Sequence, residues 1–155
     1  MKPRTAAVAC LILFVLVLAV FGQAGSFGFI SFDDPVYVTR NQHVAEGLSV
    51  ESVKWAFSTF YGAYWHPLTW LSLMLDTQLF GVAAGGYLFS NLLLHIFNAW
   101  VLFIFFNRST GSVWQSGLVA ALFALHPMHV ESVAWITERK DVLSLFWGLL
   151  AVVAY

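Results

Sequence analysis

Residues 5–22 read TAAVACLILFVLVLAVFG without a charged side chain, and residues 86–106 form a second apolar run. A helix needs roughly 20 apolar residues to span the hydrocarbon of a bilayer, with about 17 at the low end. Such runs cannot all fold inward in a chain of 155 residues that is 60% hydrophobic and 10% charged, because a single small core has too little room. Lipid must be the solvent for much of this surface, so the sequence predicts an all-α integral membrane protein. The basic start and the small residues at 24–26 also suit a cleaved signal peptide, but the first run exceeds the usual apolar region of roughly 7–15 residues. An uncleaved anchor is the expectation. A net charge of −1 offers no basic field for nucleic acid. The single cysteine, Cys10, lies in the first run and can make no internal disulfide.

Two further apolar stretches, 113–127 and 142–155, complete an expected set of about four spans, the last of them incomplete. The chain therefore reads as the amino-terminal part, residues 1–155, of a longer multi-pass membrane domain. Basic flanks prefer the cytoplasm. Lys2, Arg4 and Arg108 then lie inside, the amino terminus is cytoplasmic, and the loops 23–85 and 128–141 both lie outside.

The first of these loops is expected to be ordered. From Ser49 the segment SVESVKWAFSTF places Val50, Val53, Phe57 and Phe60 on one helical face, with Ser49 as cap and Glu51 near the positive helix end. It reads as an amphipathic helix lying along the membrane. A second helix is expected to start at Pro67 and to stop before Gly81. Leu68, Leu71, Leu75 and Leu79 make its apolar stripe, and Thr69, Ser72 and Asp76 a polar one; a membrane span is the alternative there.

Charges are scarce, so their placement matters. Asp33 and Asp34 stand together in FISFDDPVYVTRN, residues 29–41, at the exit of the first run. They can be a turn, since Asp-Pro favours one. They can also be a carboxylate pair in which desolvation and mutual repulsion raise one pKa and leave a usable proton acceptor. The block HPMHVESVAWITERKD, 126–141, gathers His126, His129, Glu131, Glu138, Arg139, Lys140 and Asp141. Arg139 and Lys140 either pair locally and snorkel or grip a phosphate at headgroup depth. His126 and His129 allow a metal site or capping around Pro127. Asn91, His95 and Asn98, at i, i+4 and i+7 of the second run, either bond neighbouring helices or line a cavity.

Phe32-Asp33-Asp34 with Asn41, WHPLTWLSLMLDTQLFG, NLLLHIFNAW and ALFALHPMHVESVAWITERKDVLS together resemble bacterial relatives of the transmembrane, tetratricopeptide-repeat O-mannosyltransferases, which are GT-C class membrane glycosyltransferases. The resemblance runs from about Phe29 onward. It implies a catalytic acidic motif in the first extracytoplasmic loop, where Asp33 and Asp34 match. It also implies a polyprenyl-phosphate-linked sugar as donor, a hydroxyl acceptor such as a protein Ser or Thr, and further spans followed by helical repeats. On that reading Asp33 is the base, and Asp34 supports it or binds a divalent metal, for which no other ligand is assigned. Arg139 and Lys140 stabilise the phosphate, while Glu131, Glu138 and His129 contact the substrate. The expected place is the cell (inner) membrane, with an extracytoplasmic active site. A non-catalytic membrane scaffold and a transporter fragment are the alternatives.

Overall fold

The computed structural model describes residues 3–155; the cationic flank expected at Lys2 lies outside the described residues. The protein is all-helical, and no strand occurs among the described residues. Helix α1 is Pro3–Phe21, followed by a 3-10 turn, Gly22–Ser26. A π turn, Pro35–Thr39, precedes the short helix α2, Gln42–Ala45, and then come α3, Val50–Ser58, and α4, Pro67–Phe80. The long helix α5, Ala84–Thr110, leads to α6, Val113–Ala124, and α7, His129–Ala134. A 3-10 turn, Ile136–Glu138, opens directly into α8, Arg139–Ala154.

Helices α1 and α5 are long and apolar enough to cross a membrane. The expected run at 86–106 extends at both ends, because Asn107 and Arg108 stay helical and the chain turns only at Gly111, whose φ of 69° gives the left-handed C-cap. Of the other two expected spans, α6 is shorter than a crossing and α8 is the one expected to be incomplete. Helix α6 has 12 residues, about 18 Å at 1.5 Å per residue, and α8 has 16 residues, about 24 Å. The stretch expected to run to 127 stops at Ala124 because Pro127 has no N–H to give to Phe123, and the residue before a proline avoids helical angles.

Helix α5 is the axis of the molecule, touching α1, α4, α6, α7 and α8. The Trp100 indole donates to the Cys10 carbonyl at 2.8 Å, and the Phe21 ring meets His95 edge-on at 5.5 Å, so α1 runs antiparallel to α5. Three side chains of α5 then fix the returning chain. His95 Nε2 bonds the Ala124 carbonyl, Asn91 donates to the Trp135 carbonyl, and Asn98 donates to the Val142 carbonyl, each at 2.9 Å. All three side chains are buried. They bond neighbouring backbone where regular helix is interrupted or just restarted, and so do not line an open path. Residues 22–83 and 125–138 are thereby brought to the same end of α5.

One face of α1 stays uncovered, with Val8, Leu11, Ile12 and Val15 exposed, as expected where lipid replaces water. Helix α4 shows the same inversion. Leu68, Leu75 and Leu79 of its leucine stripe are exposed, while Thr69, Trp70, Leu73, Asp76 and Thr77 are buried. Helix α3 is held by a capping box between Ser49 and Ser52 and packs through Ser52 and Ala56. Its Val50, Val53 and Phe57 face outward, and Phe60 lies beyond its end. Over this end of α5 sits a core of Tyr37, Val38, Trp70, Leu73, Tyr87 and Ile136 among others.

The start of α5 presses against the turn after α1. A Cβ at Gly85 would lie 2.6 Å from the Gly25 carbonyl oxygen, a backbone atom with little freedom to move. Gly85→Ala is expected to destabilise the protein by about 1–3 kcal/mol, the usual range for overpacking. Gly117 of α6 has nothing within 4 Å of its Cβ position, so Gly117→Ala is the neutral comparison. Thermal midpoints of the detergent-solubilised protein measure both.

Candidate functional site

The sequence after Asp33 folds into a π turn because Pro35 has a fixed φ and no donor of its own. The Asp33 carbonyl accepts from the Val36 and Tyr37 amides at 2.9 and 3.0 Å, and the Arg40 amide reaches back to the Pro35 carbonyl at 2.8 Å. The two aspartates end in different surroundings. Asp34 is buried at 1% exposure, with Oδ2 accepting from the Ile30 amide at 2.7 Å and Oδ1 from the Thr137 hydroxyl at 2.8 Å. Asp33 is half-buried and lies near the Tyr37 phenol. Burial, then the charges of Asp33 and Glu138, push that phenol up to about 12.

The Asp34–Thr137 bond joins positions 103 residues apart. Phe32 and Trp135 meet beside it with ring centroids 6.2 Å apart. The acidic exit of α1 and the 126–141 block therefore share one site.

Arg139, expected to face a phosphate, turns inward instead, at 0% exposure. Its guanidinium pairs with Asp76 at 2.6 Å and donates to the Ser72 hydroxyl at 2.6 Å, the Tyr87 carbonyl at 2.7 Å and the Asn91 side-chain oxygen. Asp76 also accepts from Ser90 at 2.6 Å. A buried guanidinium must find such partners, and the polar stripe of α4 supplies them. Burial pushes the Asp76 carboxyl up from its ordinary value, and Arg139 pulls it back.

Lys140 points the other way. It pairs with Glu138 at 2.6 Å and stays partly exposed, on the wall of a cavity of about 820 Å³. Tyr64, Trp65, His66, Asp141 and Trp147 line the same space. Burial, then the Lys140 charge, lower the His66 pKa from its ordinary value, so the ring is neutral at pH 7.

Neither aspartate lines the cavity. Asp33 stands one layer behind it, beside Tyr37, whose ring stacks on His66 at 5.6 Å. Glu138 reaches the site through Lys140. Glu131 is exposed on α7. His129 packs against Phe123 and His95, at 4.5 and 5.4 Å between ring centroids, away from the cavity lining. His126 caps the turn at Pro127 by accepting from the Met128 amide at 3.2 Å. Among the described residues no three His, Cys, Asp or Glu side chains form a metal-binding group, and both oxygens of Asp34 already hold protein donors.

Tyr37, Tyr64 and His66 went unnoticed as site residues in the sequence. For Tyr64 and His66 the signal was the aromatic density of YGAYWHP just ahead of a helix start, whereas Tyr37, in the turn PVYVT, carried none.

An all-helical chain with two apolar helices of crossing length and a polar site at one end of them has the build of a membrane protein. Its relatives are more specific. The chain is 31% identical over 154 residues, 94% of its length, to "Protein O-mannosyl-transferase Tmtc2" of Drosophila melanogaster. It is 35% identical over 91 residues, 59% of its length, to "Protein O-mannosyl-transferase Tmtc1" of the same organism, and 37% identical over 106 residues, 64% of its length, to "Protein O-mannosyl-transferase TMTC1" of Mus musculus. No family model and no solved structure matches it. The chain is a distant, partial relative of the TMTC protein O-mannosyl-transferases. It spans only 11% to 16% of the length of these relatives.

Proposed function

We propose that this chain forms part of a glycosyltransferase that moves mannose from a polyprenyl-phosphate carrier to a hydroxyl of a protein Ser or Thr, at the extracytoplasmic face of the membrane. The observation that carries the reading is the junction of the two loops, where Thr137 holds Asp34 while Lys140, three residues on, opens onto the cavity. In this reading α1 and α5 cross the bilayer. Helices α6 and α7, broken at Pro127, return the chain along α5, and α8 descends again.

The chemistry follows from the two carboxylates and the lysine. The Asp33 carboxylate takes the proton of the acceptor hydroxyl, which is a poor nucleophile until it does so. The hydroxyl oxygen bonds to the anomeric carbon. The bond from that carbon to the phosphate oxygen breaks, and its electron pair stays on the phosphate. Lys140 stabilises the charge that builds there, in competition with its ion-pair partner Glu138. Asp34 fixes the loop that presents Asp33. Arg139, anchored on Asp76, positions Lys140 and leaves the phosphate contact to it. The apolar and aromatic walls of the cavity suit an isoprenoid chain. Transfer from a polyprenyl phosphomannose to a Ser/Thr peptide, measured with the full-length protein, is the test. Unchanged turnover in Asp33→Asn would remove Asp33 as the base.

A further inference from the structure

We propose that His66 and Lys140 together clamp the phosphoryl group of a lipid phosphodiester where the first turns of α4 and α8 converge, and that His66 takes up a proton as this group binds. The inference rests on reading the cavity as the donor site, and it gives a role to a residue that has none there.

His66, Pro67, Lys140 and Asp141 share the cavity wall. The His66 ring is held in place, stacked on Tyr37 and Tyr64 at 5.6 and 6.1 Å and packed against Trp70 at 4.7 Å. Its Nε2 is buried with no hydrogen-bond partner among the described residues. Buried polar atoms nearly always have a partner, so an orphan beside a cavity marks where one is missing. No side chain caps the start of α4 or of α8, whereas α3 carries a full capping box.

The groups around the ring decide the direction of any pH effect. Lys140 faces it from α8, and the Tyr37 phenol from the π turn, with Asp33 and Glu138 near that phenol. Tyr64 covers the ring from the loop before α4, and Asp141 lines the same cavity. Burial and the Lys140 charge hold the imidazole neutral. An anion seated between ring and ammonium removes that repulsion and favours the imidazolium, so the complex carries one proton more than the free protein. Binding therefore strengthens as pH falls through the range between the lowered pKa of the free ring and the raised pKa of the bound one. A phosphodiester keeps a single charge throughout this range, so the slope belongs to the protein.

Farnesyl phosphomannose, titrated into the protein in nanodiscs between pH 8 and pH 5.5, reads this directly, with phosphate-free farnesyl mannoside as the comparison. The diester is expected to bind about tenfold more tightly at the acid end, equivalent to about one unit of pKa change, while the mannoside stays flat. His66→Gln should remove the slope, weaken the diester at pH 5.5 by about tenfold and leave mannoside binding as it was. Lys140→Gln should weaken the diester at every pH. A wild-type slope in His66→Gln, or equal loss of mannoside binding, would overturn the clamp and make His66 a packing residue. If the wild-type protein bound diester and mannoside equally, the donor-site reading would fall with it. If the diester behaved as expected while Asp33→Asn kept full turnover, the clamp would stand and only the base assignment would go.

Discussion

Arg139→Leu is expected to cost the protein about 3–5 kcal/mol, the usual penalty when one partner of a buried ion pair is removed. The loss exceeds that of a single contact because the guanidinium serves α4 and α5 at once. Without it the Asp76 carboxylate keeps only its bond from Ser90, and Ser72, the Asn91 oxygen and the Tyr87 carbonyl each lose one donor within a buried site. The pair as a whole is not predicted to be stabilising in itself. Replacing both charges by apolar side chains of similar size is often neutral or better, so adding Asp76→Leu to Arg139→Leu should recover most of the loss. Thermal midpoints of the single and double variants in detergent measure this. A lone Arg139→Leu within about 0.5 kcal/mol of wild type, the range of an ordinary surface substitution, would show that the network contributes nothing.

The second large effect separates the two aspartates. Asp33→Asn is expected to lower mannosyl transfer about 10²–10⁴-fold, the range of a general base, and to leave the thermal midpoint unchanged. Asp33 is half-buried, and its side chain makes no hydrogen bond within the described residues, so the amide disturbs no protein contact. Asp34→Asn should behave in the opposite way. Its carboxylate accepts from both Ile30 and Thr137, and an amide presents donors where one of those acceptors was. A loss of about 1–3 kcal/mol follows from the unsatisfied buried group. Transfer should fall because the loop is displaced, in proportion to the loss of order. Transfer assays and melting curves on both variants make the comparison. Equal loss of stability in the two would mean that position 33 is structural as well.

Much of the helix pattern could be read locally. Pro67 and Gly81 bracket α4 by fixing backbone angles that any fold must respect, and α4 runs Pro67–Phe80 as expected. The capping serine of α3 and the two long apolar runs are equally local signals. What stayed hidden depends on tertiary register. Arg139 reads as a free cation beside Lys140 because its partner Asp76 lies 63 residues away on another helix. Only the inward roll of the polar stripe of α4 brings them together. The likeness of adjacent residues misled in the same way at positions 33 and 34, and at 139 and 140. In each pair the main chain turns one side chain into the protein and leaves the other at or near the site. The short α6 was misjudged for a simpler reason. Hydropathy continues through Leu125, but the helix cannot continue past the proline that follows.

The three polar side chains on α5 carry an implication for how the protein is made. The carbonyls of Ala124, Trp135 and Val142 lie at a break, in an irregular segment and in an opening helical turn, and lipid offers no donor to satisfy a carbonyl left without one. The segment that follows α5 gains these three anchors only once α5 is in place. Ribosomal synthesis delivers α5 first, so the order of translation and the order of insertion agree, and α5 acts as the template on which the rest is laid.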